Sequence, residues 1–562
     1  VMAVSDSKST IEKIEQVLTD EFVTDSNSKQ PSKVIWSIHA DNSGSEENQH
    51  FINNISEAVK NVDVLLASPS LCTGVDIQGK HFDEVYGFFN AVALTATDCL
   101  QALHRYRHPV PFHIWVAPRP SFGYQDTNAQ VIRDRKYQIS EFNNFALNID
   151  PDTGRDIPIL NWAFELYCQI EAQSNRSLNN LRDHLHRLLA RMGYQITVVE
   201  TDTNDLAKEQ LKEAKKKVNQ HHIQQVTVAQ PIDKEQYLQL KNKPYLTPEE
   251  KYAMERFRIE DSYGQEISGD LVKKDSKGAY LSQLITLEAV LSPPQGERVD
   301  PKTKRRMPIP PKLVMDKDLW ELDNLPFLPD RQHFCAQWFI WHSLGISQIL
   351  GRLFEGEEYT ARDPDVIKLA EVAGKYRQEI KAILGFWIDA KSSPTWILGT
   401  LLNKLGLKTK SCKRGSSGKQ VLHYSLAVEE LLFAREVLEY RQQQRILKEE
   451  RQRQRQEENY LHQIMMATQF DTGYPSEPIS TPNGNNNIPY KEQGVDMAEN
   501  NTPSLLEKMQ TILTWLTDLV DLGKDVIRGL FLPTLALNPI QKVLIYYLNH
   551  PIKFVSHSST ET

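Results

Sequence analysis

Short apolar runs alternate with helical segments through the first 120 residues, and this alternation constrains the fold more than any other feature. The predicted strands are 1–4, 33–38, 62–67, 85–89 and 112–117, and the predicted helices are 9–20, 47–61 and 97–107. Near-continuous apolar strands separated by helices are typical of a parallel sheet covered on both faces. In such sheets, functional groups lie in loops beyond the carboxyl ends of the strands.

Composition narrows the class of protein. At about 150 residues per domain, 562 residues predict three to four domains. A hydrophobic fraction of 40% and a charged fraction of 25% exclude a mostly disordered or collagen-like chain. The net charge of −8 does not by itself predict a nucleic-acid binder.

Cysteine spacing and hydropathy indicate the cellular compartment and whether the chain meets a membrane. The five cysteines are far apart and form no C-x-x-C pair, which argues against a zinc ribbon or a disulfide framework and favours the cytoplasm. No apolar stretch reaches the ~18 residues of a membrane span, so no membrane partner is predicted. The abrupt opening strand, Val1–Val4, leads us to expect a fragment of a longer protein.

Two segments after consecutive strands carry polar groups suited to chemistry. In 67–76, Thr73 and Gly74 permit a tight turn and Asp76 supplies a carboxylate. In 98–107, we expect Gln101, Arg105 and Arg107 on one helix, where residues 101 and 105 share a face. The planar, permanently charged arginine fork is suited to phosphate. Taken alone, the first segment reads as a common turn and the second as a solvated helix face. Because both follow consecutive strands of one sheet in this order, their joint occurrence by chance is less plausible.

These residues resemble a known family. The runs VMAVSDSK, SPSLCTGVDI and CLQALHRYRHPVPFHIWVAPRP resemble motifs IV, V and VI of the second RecA-like lobe of a superfamily-two helicase, which has a P-loop NTPase fold. More narrowly, 1–120 is similar to cyanobacterial plasmid replication proteins that join a primase-like part to a helicase. Herpesvirus origin-binding helicases are more distant relatives.

The resemblance implies roles for individual residues. Arg105 and Arg107 would stabilise charge on a transferring phosphoryl group, and Gln101 would position an arginine or the attacking water. Thr73, Gly74 and Asp76 would couple the ATP state to DNA. The usual motif VI pattern is Q-x-x-G-R-x-x-R, whereas here His104 replaces the glycine and His108 the last arginine, which leaves the role of Arg107 less defined than that of Arg105.

A P-loop motif is missing from this sequence. In 415–420, only two residues separate the glycines, and Gln420 follows Lys419 where serine or threonine should bind the metal. ATP and Mg²⁺ are therefore implied only together with a first lobe, which we expect upstream of Val1. The present chain alone is predicted not to hydrolyse ATP.

The strongest DNA-binding prediction falls on 365–426. Helices at 366–389 and 395–405 precede two strands, 407–413 and 419–425, around a glycine-rich tip, an order that resembles a winged helix. No acid occurs in 390–428, which predicts a phosphate-binding surface. The bases of this segment are Lys391, Lys404, Lys408, Lys410, Lys413, Arg414 and Lys419, of which all but Lys391 are predicted to contact DNA. The alternative is a basic hairpin on an ordinary helical domain.

The other segments predict architecture more than chemistry. Residues 196–199 read as a strand. Bases could stack on Trp338 or Trp341, although a buried helix is the favoured interpretation of 333–342. The predicted domains are the RecA-like lobe (1–125), a mostly helical middle (126–330), a helical domain with the winged-helix-like hairpin (331–426), a long polar helix (427–469), a disordered linker (470–502) and C-terminal amphipathic helices (503–562).

These observations predict an α/β RecA-like lobe followed by a largely α-helical region with a winged-helix-like element. The leading hypothesis is the C-terminal part of a plasmid replication protein, an ATP-dependent helicase that opens origin DNA. Its partners would be single- and double-stranded origin DNA, the upstream helicase and primase parts, and, if it oligomerises, further copies. The alternative is a non-enzymatic initiator that keeps a degenerate RecA-like lobe as a scaffold. A conjugative or transcriptional DNA-binding protein would leave motifs V and VI unexplained.

Overall fold

The computed structural model describes residues 1–24, 33–71, 75–148, 161–199, 205–300, 304–325, 327–389, 391–416 and 420–470. Several predictions lie outside these residues. They are those for Thr73, Gly74, Lys419, the linker from residue 471 and the C-terminal helices.

Five parallel strands form the sheet at the start of the chain. They are β1 (Met2–Ser5), β2 (Ile35–Ile38), β3 (Val64–Ala67), β4 (Val85–Phe89) and β5 (Phe112–Val116). Their spatial order is β2-β3-β1-β4-β5, and every neighbouring pair is parallel. Each corresponds to a predicted apolar run, so the α/β parallel-sheet class is confirmed.

Helices cover both faces of this sheet. On one face, Ile11 of α1 (Lys8–Thr24) packs with Ala3 and Leu66. The other face packs against α2 (Glu46–Asn53), α3 (Ile55–Ala58) and α4 (Ala96–Leu103). Covering both faces explains why the strands are apolar along their whole length.

A largely helical region follows, as predicted. Its helices are α5 (Ala129–Leu147), α6 (Asn161–Asn179), α7 (Leu181–Arg191), α8 (Asp205–Val228), α9 (Lys234–Lys241), α10 (Pro248–Tyr263), α11 (Gly269–Asp275), α12 (Ala279–Leu291) and α13 (Lys312–Asn324). The strands β6 (Gly296–Val299) and β7 (Arg306–Ile309) form an antiparallel hairpin. Leu181, Leu185 and Leu189 of α7 belong to the same core as the sheet. The cover of the sheet therefore extends well beyond residue 125.

The predicted strand at 196–199 is wrong. These residues are irregular, and Val198 and Val199 are 80% and 72% exposed. A strand is stable only when a neighbour pairs with its backbone, and no described strand lies beside this one.

The second large core is helical and contains the basic hairpin. Its elements are α14 (Phe334–Ser343), α15 (Ile346–Phe354), α16 (Pro364–Lys375), α17 (Arg377–Glu379), α18 (Pro394–Lys404), β8 (Thr409–Arg414) and β9 (Val421–Leu426). Trp338 and Trp341 are 2% and 3% exposed, which confirms the buried-helix interpretation of 333–342.

The long helix predicted for 366–389 is shorter in the structure. It ends at Lys375, and a π-helical turn then runs over Ile380–Leu384. Gly385 follows with a φ of +74°, a conformation that glycine adopts without strain and that ends the turn. The predicted helix at 395–405 and the two hairpin strands are confirmed.

The predicted long polar helix is also present, as α19 (Val428–Phe470). Residues 1–441 belong to one compact unit, and the helix from Gln442 onward belongs to a second. Within the second unit, residues 447–462 are all exposed, as expected of a helix that is polar all round. None of the described helices combines the length and apolarity needed to span a bilayer.

Candidate functional site

The two polar segments singled out in the sequence meet in the structure. Ile77 and Tyr106 form an isolated parallel β-bridge. The amide of Ile77 donates to the carbonyl of Arg105 at 2.9 Å, and the amide of Arg107 donates to the carbonyl of Ile77 at 3.4 Å. This bridge brings Asp76 beside the two arginines.

The expectation that Gln101, Arg105 and Arg107 share one helix is wrong. Helix α4 ends at Leu103, and His104 is its C-cap. The chain leaves the helix because the next residues pair with Ile77, while the Tyr106 hydroxyl accepts a hydrogen bond from the His81 amide at 2.7 Å. Gln101 remains on α4 with an exposed side chain, so residues 101 and 105 do not share a helix face.

Arg107 and Asp76 form an ion pair at the surface. Arg107 Nε donates to Asp76 Oδ1 at 2.7 Å, and the two side chains are 61% and 38% exposed. Gln78 Nε2 donates to the other carboxylate oxygen at 3.3 Å. The carboxylate thus orients a guanidinium that solvent, or a phosphate, can still reach.

Arg105 has the opposite environment. It is only 8% exposed, and its Nη1 donates to the carbonyl of Val75 at 3.0 Å. Its side chain lines a small cleft with Ser5 and Ser68, which follow the apolar parts of β1 and β3. The buried arginine thus ties the segment after β3 to the segment after α4.

Asp6, which sequence reasoning missed, organises the carboxyl end of β1. The side chain is 5% exposed. Its Oδ1 accepts from the amide of Asn90 at 2.7 Å and from Asn90 Nδ2 at 3.1 Å, and its Oδ2 accepts from the Val92 amide at 3.0 Å. Burying a carboxylate is costly unless it is fully hydrogen-bonded, so Asp6 holds the loop after β4 against β1. A carboxylate directly after an apolar strand was the available signal.

One group of potential metal ligands converges within the described residues. Ligand atoms of Glu12, His39 and Asp41 lie within 4.8 Å of one another. Lys8 already occupies the group, because its ammonium ion-pairs with Glu12 at 3.6 Å and with Asp41. Burial raises the pKa of Asp41, but the hydrogen bond and charge of Lys8 outweigh this and hold it below its usual value. Because the ammonium satisfies these carboxylates, we propose no metal here.

The predicted DNA-binding residues lie in different surroundings. Lys408 pairs with Glu430 at 2.8 Å, and Arg414 pairs with Glu358 at 2.5 Å. The Lys404 ammonium lies 5.1 Å from the Phe386 ring centroid. Lys410 and Lys413 are exposed, without an ion pair to any other described residue. Glu358 and Glu430 lie outside the acid-free segment 390–428, so the composition of that segment did not reveal these ion pairs.

Comparison with known proteins relates this chain to others only distantly. No family model matches it, and neither does any solved structure. The chain is 27% identical over 403 residues to an uncharacterized protein of the cyanobacterium Picosynechococcus, covering 68% of this chain and 37% of that protein.

Viral proteins are also similar. Over 246 residues, the chain is 23% identical to a protein of African swine fever virus, Vero-adapted Badajoz strain, assigned by name to a helicase/primase complex. The corresponding protein of a Malawi tick isolate is 24% identical. These matches cover 42% of this chain and 23% and 22% of the viral proteins. The chain therefore spans well under half the length of the relatives it matches.

Proposed function

We propose that this chain is part of a DNA replication protein in which residues 1–125 act as the second RecA-like lobe of an ATP-dependent helicase that opens plasmid origin DNA. The parallel sheet, the meeting of 75–77 with 105–107 and the viral helicase/primase relatives support this proposal. ATP and Mg²⁺ would be held mainly by a first lobe that carries a P-loop, and that lobe, together with a primase part, would be the main protein partner.

The observation that carries the proposal is the exposed Arg107 guanidinium oriented by Asp76. In phosphoryl transfer, ATP would supply the phosphoryl group, and an arginine placed from a second lobe would stabilise the negative charge that develops on that group. Arg107 can supply the stabilising positive charge because its guanidinium is accessible. Arg105 would act as a positioning residue, because it is buried beneath the same segment. Gln101 is exposed on the preceding helix and would contribute to the same surface.

The test is DNA-stimulated ATP hydrolysis by the protein at its natural length. Arg107→Ala should lower turnover by about 10³-fold, the effect typical of losing an arginine finger. Arg187→Ala is the matched control, since Arg187 is 67% exposed and pairs with Asp183 on α7. Unchanged turnover in Arg107→Ala, with normal folding, would refute the role of Arg107.

A non-enzymatic DNA-binding initiator is the second candidate. The specific observation in its favour is that both arginines are engaged by groups of the lobe itself, Arg105 by the Val75 carbonyl and Arg107 by the Asp76 carboxylate. On this hypothesis the lobe is a scaffold. Origin binding without ATP turnover in the natural-length protein would favour it.

We further propose that 346–426 is a winged-helix element that binds duplex DNA. The elements follow in the order helix α15, bridge residue Tyr359, helix α16, helix α17 with the π-helical turn after it, helix α18 and hairpin β8–β9. Tyr359 and Tyr424 exchange backbone hydrogen bonds of 2.8 and 2.9 Å. The residue Tyr359 therefore pairs with β9 in the manner of a third strand beside the hairpin. Helix α18 would enter the major groove, as the second helix of a helix-turn-helix does. Lys410 and Lys413 would contact phosphates.

A further inference from the structure

A loop with two exposed aromatic rings follows β5. Phe122 is 74% exposed and Tyr124 is 58% exposed. Large apolar side chains in contact with water are common singly, but two within three residues on a well-held loop call for a partner. Neither residue belongs to the runs that resemble motifs IV, V and VI or to the basic hairpin.

The loop is held in place at both ends. Ser121 donates from its amide to Ala91 at 3.2 Å and from its hydroxyl to Asn90 at 2.6 Å. Beyond the rings, the Gln125 amide donates to Asn179 Oδ1 at 3.0 Å, and Asn179 Nδ2 returns a hydrogen bond to the Gln125 carbonyl at 2.8 Å. Because the loop is already ordered, binding a partner would cost little further conformational entropy.

The first anchor places the loop at the carboxyl edge of the sheet. Asn90 and Val92, on either side of Ala91, donate to the buried Asp6 after β1. One hydrogen-bonded chain therefore connects Asp6, the loop after β4 and the aromatic loop after β5. In parallel sheets, ligands bind beyond this edge.

One basic side chain contacts the loop, and another belongs to it. Lys381 Nζ donates to the carbonyl of Tyr124 at 2.9 Å. Arg377, one turn before Lys381, lies 5.6 Å from the ring centroid of Trp387, a third exposed aromatic side chain. Residues 118–125 contain Arg119 and no acid. The nearest acid in sequence, Asp126, is paired with Arg135 at 2.5 Å.

We infer that this loop is a contact site for single-stranded nucleic acid, with bases stacked on Phe122 and Tyr124 and phosphates near Arg119 and Lys381. Exposed rings beside basic side chains are the combination that binds unpaired strands, because every base offers a face for stacking. The bases of a duplex are already stacked on one another, so the rings favour the unpaired strand. The inference rests on the proposed function, which brings DNA to this protein.

The test is a binding measurement on the whole chain by fluorescence anisotropy. The probes are an oligothymidylate of about 20 nucleotides, an abasic strand of the same length and a duplex. The wild-type protein should bind oligothymidylate more tightly than the abasic strand. Phe122→Ala with Tyr124→Ala should weaken oligothymidylate binding at least about fivefold, the lower end of base–aromatic stacking. Binding to the abasic strand and the duplex should stay unchanged.

Matched variants separate stacking from general surface effects. Phe122→Trp with Tyr124→Trp should keep the preference for bases, whereas leucine at both positions should lose it. Trp320→Ala is the control for removing an exposed ring elsewhere, since Trp320 is 59% exposed on α13. Wild-type affinity for oligothymidylate in the double alanine variant, or in the leucine variant, would overturn the inference.

The outcomes also distinguish this inference from the proposed function. A preference for bases over abasic sites in this chain, together with no ATP turnover by the protein at its natural length, would refute the helicase role and support the stacking loop. Duplex binding without any preference for bases over abasic sites, together with ATP turnover by the natural-length protein, would support the helicase role and refute the stacking loop. No binding to any of the three probes would overturn both.

Discussion

Arg107 and Asp76 are 31 positions apart in the chain, yet Nε of the arginine lies 2.7 Å from Oδ1 of the aspartate. The bridge between Ile77 and Tyr106 sets this distance, because it aligns the two segments side by side. Arg105, two residues earlier, is directed inward instead. Two arginines of one motif, separated by a single residue, therefore have different physical roles.

The two arginines should differ in their effect on stability. Arg107→Ala removes an exposed ion pair and should lower the free energy of unfolding by at most about 1 kcal/mol. Arg105→Met removes a buried hydrogen bond to the Val75 carbonyl and should cost about 1–3 kcal/mol. Urea unfolding of each variant measures the difference. Equal losses would contradict the assignment of Arg105 as the structural arginine.

The accessible lysines of the hairpin should dominate the salt dependence of duplex binding. Changing Lys410 and Lys413 to alanine should reduce the slope of log affinity against log salt by about 2, since each phosphate contact contributes about 0.9. Lys408→Ala is the matched control, because Lys408 is already paired with Glu430. A titration against salt with a labelled duplex measures both. If the slope falls as much in Lys408→Ala, pairing with Glu430 does not keep Lys408 from contacting phosphate.

The Lys8–Asp41 pair should give a pH-dependent contribution to stability. The pKa of Asp41 is below its usual value of 3.8, so its contribution is present above that pH and is lost as pH falls through the lowered pKa. Asp41→Asn should lower the free energy of unfolding at pH 7 by about 0.5–1 kcal/mol, discounted because the carboxylate is 42% exposed.

The comparison of wild type with Asp41→Asn should be made by urea unfolding from neutral pH downward. The difference in free energy of unfolding between the two proteins should be constant from neutral pH down to the usual Asp pKa and should shrink below it. On the alkaline side, the raised pKa of Lys8 predicts that the pair persists until pH exceeds the usual lysine value of 10.5. A difference that grows on acidification would contradict the pairing.

Helix α7 should stabilise the sheet although it lies beyond the predicted lobe. Leu185 is 1% exposed within the sheet core, so Leu185→Ala should cost about 3 kcal/mol. His186→Ala, at an exposed position on the same helix, should cost little. Hydrogen exchange of β4 and β5 provides the readout, because their amides should lose protection together in the leucine variant. Unchanged protection would show that α7 folds independently of the sheet.

Much of the fold could be predicted because its signals are local. Apolar runs such as 62–67 and 85–89 marked the strands, and Ser393-Pro394 marked the start of α18, where the Ser393 side chain accepts from the Trp396 amide. The prediction failed at 196–199, where a β-branched run has no described neighbouring strand. It also failed at 104–107, where pairing with Ile77 ends the helix.

The sequence alone determined the periodic features: the parallel sheet, the basic hairpin and the polar helix from Val428, because apolar spacing and composition act over a few residues. Only the tertiary structure decided the surroundings of individual charges. It buried Arg105 and exposed Arg107, and it set Glu358 and Glu430 against Arg414 and Lys408. These outcomes depend on contacts between residues far apart in the chain, and the energy of a charge depends on its partner and its burial, neither of which is a property of the local sequence.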